Sequence, residues 1–219
     1  MQDSVILIDK PAGMTSFGVV ARVRRVLSRQ LGKKAKVGHT GTLDPFATGL
    51  MILVTGKECK NAGDYSKLDK IYEATVKLGQ NSTTGDPEGE ISVVSDVIPT
   101  EDDVKKVLGQ FVGNISQTPP IYSAIKIDGQ RAYKLARAGK SVEMPSRQIK
   151  IYSLELIDYS YPYLTIRANV SSGTYIRTLA EDIGRELKTG AYCEQLRRIS
   201  IADWLVTDAK TLPEMGIVD

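Results

Sequence analysis

The chain has 219 residues, 42% of them hydrophobic and 25% charged, a balance that supports an ordinary globular core. No apolar run is long enough to span a bilayer, and residues 1–20 lack the pattern of a secretory signal, so no membrane contact and a cytoplasmic address are expected. Two cysteines (Cys59 and Cys193) and one histidine (His39) argue against a disulfide framework and against the common Cys/His zinc sites, so chemistry without a bound metal is expected.

The net charge of +3 identifies no ligand by itself, but its distribution is uneven. Arg22, Arg24, Arg25, Arg29, Lys33, Lys34 and Lys36 follow one another with no acid among them. Between Lys77 and Lys105 the only charges are acidic, Asp86, Glu88 and Glu90 among them. Such segregation fits a face that meets a polyanion, and it fits a solvated helix face equally well.

In chain order, Val5 to Ile8 reads as a short strand. Ser16 is a candidate cap for a helix that buries Val19, Val20, Val23, Val26, Leu27 and Leu31 and turns Arg22, Arg25 and Arg29 outward. Leu50 to Val54 is a buried strand ended by Gly56. Ile71 to Leu78 alternates, with Tyr72, Ala74, Val76 and Leu78 on one face, as a half-buried strand does. Residues 80–90 have the composition of an exposed loop. Thr100 and Asp103 form a capping-box pattern ahead of Val104, Val107, Leu108 and Phe111, with Gly113 as the stop. After Pro119-Pro120 come a strand-like stretch (Ile121 to Ile127), a turn signal at Asp128-Gly129 and a short helical stretch ended by Gly139. Strands are expected near Ile149 to Ile157 and Tyr163 to Val170. Thr174 is a candidate cap for a helix over Ile176 to Leu187, and Leu196 to Ile201 is strand-like. The mixture predicts an α+β fold around a mixed, mostly antiparallel sheet.

Two stretches stand out chemically. His39 to Gly49 reads HTGTLDPFATG, a loop in which Asp44 precedes Pro45 and is biased to extended backbone. Small residues (Gly41, Thr42, Ala47, Gly49) would let another chain segment approach closely. An acid before proline is a common turn residue, so this loop alone leaves a structural and a catalytic role open. Ser171 to Arg177 reads SSGTYIR, leaves a strand and opens a helix, and so places Tyr175 and Arg177 beside backbone N–H groups that favour anions. A core aromatic and a surface charge are the plain alternatives for that pair.

Together with KPAGMTS at Lys10 to Ser16, KIYEATVKLG at Lys70 to Gly79 and LRR at Leu196 to Arg198, these blocks resemble the TruB family of tRNA pseudouridine synthases, in family order over nearly the whole chain. The stretch from Thr118 to Gly139 is similar to that family's RNA-gripping insertion. The resemblance implies a central sheet flanked by helices, one catalytic domain over residues 1–219, and an insertion at about 118–147. It implies Asp44 as the catalytic aspartate, Arg177 as its charge partner and Tyr72 as the aromatic that stacks on the target base. His39 would fill the gap left by the flipped nucleotide, and Tyr175 and Leu196 would line the pocket. Lys10 and Pro11 would support the active-site loop, Lys10 counting with the substrate-binding set. Lys126, Lys134 and Arg137 of the insertion would contact RNA.

The implied reaction breaks the glycosidic bond from C1′ to N1 and rebuilds it to C5. Nothing is oxidised and no group is gained, so no cofactor is expected. The target base must leave its stack at a cost of a few kcal/mol. A carboxylate then serves either as nucleophile or as the base that takes a sugar proton and stabilises charge at C1′. The implied partner is the T-arm of tRNA, met by a monomer. Many relatives carry a small C-terminal RNA-binding domain of the PUA type, and none is expected within these 219 residues. The rival readings are a synthase for another RNA site and a tRNA-binding or folding module without catalysis.

Overall fold

The computed structural model describes residues 4–123, 125–127, 129–139 and 143–217, with Arg137 described by its backbone only. Asp128 of the expected turn and Lys140 of the insertion lie outside the described residues, as does the Arg137 side chain. The chain divides into two compact units, Met1–Tyr72 with Arg197–Asp219, and Glu73–Leu196.

The first unit opens with strand β1 (Val5–Lys10), helix α1 (Ser16–Leu31), β2 (Val37–His39), β3 (Thr48–Thr55) and the short α2 (Ala62–Ser66). Strand β4 (Lys70–Leu78) then carries the chain into the second unit. From Leu50 to Thr55 every residue of β3 is buried, because the strand is covered on both faces. It pairs antiparallel with β1 and β2. Leu50, Ile52, Val54 and Ile201 form a core cluster against which Val5, Leu7, Tyr65 and Trp204 pack. Helix α1 buries Val19, Val20, Val23 and Leu27, as its apolar spacing predicts, while Val26 and Leu31 are only half-buried.

The cap of α1 differs from expectation. Thr15, not Ser16, accepts the bond from the Gly18 N–H, because the Ser16 hydroxyl is committed elsewhere: it donates to Leu43 O and accepts from Leu43 N, both at 2.8 Å.

The second unit continues with β5 (Gln80–Ser82), β6 (Ile91–Val93), α3 (Glu101–Gln110), β7 (Gly113–Gln117), β8 (Lys126–Ile127), β9 (Gln130–Arg131), α4 (Ala132–Arg137), β10 (Arg147–Ser160), β11 (Tyr163–Val170) and α5 (Ile176–Glu186). Strand β12 (Ala191–Ile201) returns the chain to the first unit, where β13 (Trp204–Leu205) pairs with its end. The sheet order is β12-β4-β11-β10-β7 in the second unit and β1-β3-β12 in the first. Strand β12 runs parallel to β3, whereas β10 runs antiparallel to both β11 and β7, so the sheet is mixed and mostly antiparallel as predicted. Strand β4 alternates buried and half-buried from end to end, with Tyr72, Ala74, Val76 and Leu78 on the buried side.

The capping box of α3 is present, and Phe111 closes the helix, so Gly113 begins a strand instead of ending the helix. The expected strand at Ile121 to Ile127 shrinks to β8, and the expected helix to α4 behind the β8–β9 pair.

Residues 80–90 are not a plain exposed loop. They comprise β5 and the turn that leads to its partner β6, and that turn buries Asp86. Local polar partners make that possible: Thr84 Oγ1 donates to Asp86 Oδ1 at 2.5 Å and the Glu88 N–H donates to the same oxygen at 3.0 Å.

Candidate active site

In the first unit, the loop between β2 and β3 holds Asp44, and neighbouring segments pin it on every side. The Thr40 N–H donates to Ile52 O at 3.1 Å, and Ser16 brackets both backbone groups of Leu43. The Gly13 N–H donates to Pro45 O at 2.8 Å, and the Ala47 N–H closes a turn on Asp44 O at 3.2 Å. Lys10 is wholly buried and its Nζ donates to the carbonyls of Pro11 (2.7 Å), Met14 (2.6 Å) and Pro45 (3.1 Å). A buried ammonium is tolerated only with such partners. Lys10 therefore ties the KPAGM segment to the Asp44 loop. Asp44 itself is half-buried. His39 ends β2, half-buried and opposite Leu53, and Tyr72 is buried at 8% exposure on the apolar face of β4.

The far end of the loop is held by β12. Gly49 has φ +104, and a Cβ there would stand 2.3 Å from Arg198 O. The glycine lets the parallel β12 pair at this point. Arg198 is 1% exposed, donating from Nε to Leu50 O at 2.7 Å and from a terminal nitrogen to Gly41 O at 3.2 Å. Its neighbour Arg197 forms a two-pronged pair with Asp9, at 2.6 and 3.0 Å. Lys70 is also buried and donates to Ser66 O and Leu68 O, and burial, with Arg198 nearby, pushes its ammonium down to about 8.

In the second unit, Arg177 lies in the first turn of α5 and is 3% exposed, so it is not a surface charge. It pairs with Asp86 at 3.0 Å and donates to Thr84 O and Tyr122 O, each at 2.8 Å. Asp86 is the residue that sequence reasoning missed, because nothing in a polar, glycine-containing run marks which acid will be buried. The only local signal is the set of short hydroxyl side chains beside it.

Thr174 does not cap α5; its hydroxyl donates to Ser171 O at 2.9 Å in the preceding turn. Tyr175 takes the N-cap position, and Gln117 supplies the missing partner, accepting from the Tyr175 N–H at 2.8 Å and donating to Tyr175 O at 3.0 Å. The Tyr175 N–H is thus engaged and not open to an anion. The guanidinium of Arg147 stands 4.8 Å from the Tyr175 ring centroid. Glu181, on the next turns of α5, is raised above the usual carboxylate range by burial and by Asp182, against the pull of Arg177. Leu196 is buried in β12. Lys126 and Lys134 are exposed on β8 and α4. A cleft of about 800 Å³ lies within this unit between α5 and the insertion's flanks, lined by Pro119, Tyr122, Met144 and Glu181 among others.

Among solved structures, the chain resembles Cbf5 in a Cbf5–Nop10–Gar1 complex with a TM-score of 0.72 and 30% identity, over 95% of this chain and 52% of that one. A chain of an H/ACA RNP bound to a substrate RNA containing 2′-deoxyuridine matches with a TM-score of 0.67 and 26% identity, over 98% of this chain and 56% of that one. Fold and motifs together define a pseudouridine synthase domain. The family model described as TruB family pseudouridylate synthase (N terminal domain) matches residues 27–176, and the chain belongs to that family.

Curated relatives bear the name tRNA pseudouridine synthase B. The one from Cupriavidus pinatubonensis is 44% identical over 96% of this chain and 66% of its own length. The one from Azoarcus sp. is 46% identical over 96% of this chain and 68% of its own. The chain thus spans about two thirds of these relatives and about half of the solved Cbf5 chain. Among the described residues no helix is long and apolar enough to cross a membrane.

Proposed function

We propose that this chain isomerises a uridine of tRNA to pseudouridine, with Asp44 as the essential carboxylate and Tyr72 and Arg177 as the other catalytic residues. The observation that carries the reading is the bracing of the Asp44 loop: Lys10, Gly13 and Ser16 each bond to Leu43 or Pro45, the residues on either side of Asp44. A turn residue of no consequence does not need a fully buried ammonium beneath it, whereas a carboxylate that must meet one sugar carbon does.

In the reaction the C1′–N1 bond breaks, the base turns, and C5 bonds to C1′ while the C5 proton leaves and N1 gains one. Asp44 acts at the sugar, as nucleophile or as base. Tyr72, on the apolar face of β4, confines the detached base and excludes water. His39, Tyr175 and Leu196 take the roles the family implies. The finer reading is the T-loop uridine at tRNA position 55, gripped by the insertion at about 118–147 and modified by a monomer in the cytoplasm.

The test is tritium release from C5-labelled tRNA transcripts. Wild-type protein is expected to release label, and Asp44→Ala to bind the transcript but release none. Equal release from both rejects the assignment of Asp44, and transcripts altered in the T-loop decide the position.

A further inference from the structure

Helix α1 carries four arginines and no acid, and Lys33, Lys34 and Lys36 follow it. Its buried stripe accounts for Val19, Val20, Val23 and Leu27 but not for Phe17. Phe17 stands 63% exposed in the first turn. A ring that large is ordinarily buried for its apolar area. Two turns on, the Arg24 guanidinium lies 5.6 Å from the Phe17 ring centroid, so the ring is flanked by a cation and left open to solvent. Arg25 and Arg29 continue the exposed basic face beyond it.

The position of this ring is set by the candidate active site. Phe17 follows Ser16, and Ser16 is bonded to Leu43, the residue before Asp44. Standard bond lengths along that path keep the Phe17 and Asp44 Cα atoms within about 15 Å of each other.

We propose that Phe17 is a stacking platform for an unpaired RNA base close to the target uridine, with Arg24 beside it and Arg25 and Arg29 following the phosphates. This rests on the reading of the substrate as RNA. The chemistry favours RNA over a protein partner: an isolated aromatic on an acid-free basic helix matches a π-face attached to a phosphate chain, whereas a protein groove would call for a contiguous apolar patch. The base stacks on the open side of the ring, and any of the four bases serves, because each has a π-face. The site therefore adds affinity and registers the strand without reading its sequence.

The experiment measures filter binding of a tRNA transcript to wild type, Phe17→Ala, Phe17→Trp and Arg24→Gln. Phe17→Ala is expected to weaken binding about tenfold, with kcat/KM falling in parallel. Phe17→Trp is expected to keep the affinity, and its indole emission to be quenched by the transcript beyond the change shown by Trp204 in wild type. Arg24→Gln is expected to weaken binding and to flatten its salt dependence. Wild-type affinity in Phe17→Ala, or no added quench in Phe17→Trp, overturns the proposal. Because Phe17 is mostly exposed, an unchanged urea midpoint is expected to accompany the binding defect. A wild-type protein that releases no tritium while Phe17→Ala still binds more weakly would reject the enzymatic reading and leave the platform standing.

Discussion

Asp86 and Arg177 form an ion pair with side chains 5% and 4% exposed, and burial decides how such a pair responds to mutation. Two charges removed from water gain little over two apolar groups, but deleting one partner is expensive. Asp86→Asn is therefore expected to cost on the order of 3 kcal/mol in urea unfolding, and to lower turnover by loosening Arg177. Arg177→Met combined with Asp86→Leu should cost less than the sum of the single changes, and full additivity would mean that the pair is not coupled.

Lys70 carries the molecule's clearest pH prediction. Its folded-state ammonium titrates near 8, below the ordinary 10.5, so within that window the unfolded chain binds more protons than the folded one. Stability should then rise with pH from about 8 to about 10.5 and be lowest, as far as this group is concerned, below that window. Lys70→Met removes the effect. The difference in unfolding free energy, wild type minus variant, should grow with pH across the window, and a flat difference would show that Lys70 is not desolvated.

At the scale of elements, the junction of β3 and β12 tolerates no side chain at position 49. A Cβ there meets Arg198 backbone at 2.3 Å, at a φ of +104 that other residues rarely adopt. Gly49→Ala is expected to destabilise the first unit by about 3 kcal/mol or more, read as a lowered urea midpoint; a wild-type midpoint would mean that the parallel pairing is dispensable.

Sequence patterns performed unevenly at this scale. Strands β3, β4, β10 and β11 were legible because burial on one or both faces leaves a periodic signature. The capping box of α3 was legible because both of its partners lie within four residues. The caps of α1 and α5 both differ from the sequence expectation, Ser16 being drawn to distant Leu43 and Thr174 to Ser171 in its own turn. A hydroxyl next to a helix start has several backbone groups within reach, and which one it takes is not written in its neighbours; at α5 the open Tyr175 N–H is then met by the distant Gln117.

At the scale of the whole molecule, each unit carries its own exposed basic residues, Arg25 and Arg29 on α1 in the first and Lys126 and Lys134 of the insertion in the second. Lys126 and Lys134 are both exposed, so each is free to meet a phosphate. Replacing both with glutamine should reduce the slope of log affinity against log salt by about 1.5. An unchanged slope would place the RNA elsewhere. The motifs in the sequence determined the family, the mixed α+β class and the candidate residues Asp44, Tyr72, Tyr175 and Arg177, because the chemistry of a site and the periodicity of its strands are written in adjacent residues. Only the tertiary structure decided that the buried Lys10 ammonium is held by the carbonyls of Pro11, Met14 and Pro45, that Ser16 and Gly13 brace the Asp44 loop, and that Asp86 is a buried partner of Arg177. Those roles depend on which groups are removed from water together, and residues far apart along a chain acquire a common dielectric environment only when the chain is folded.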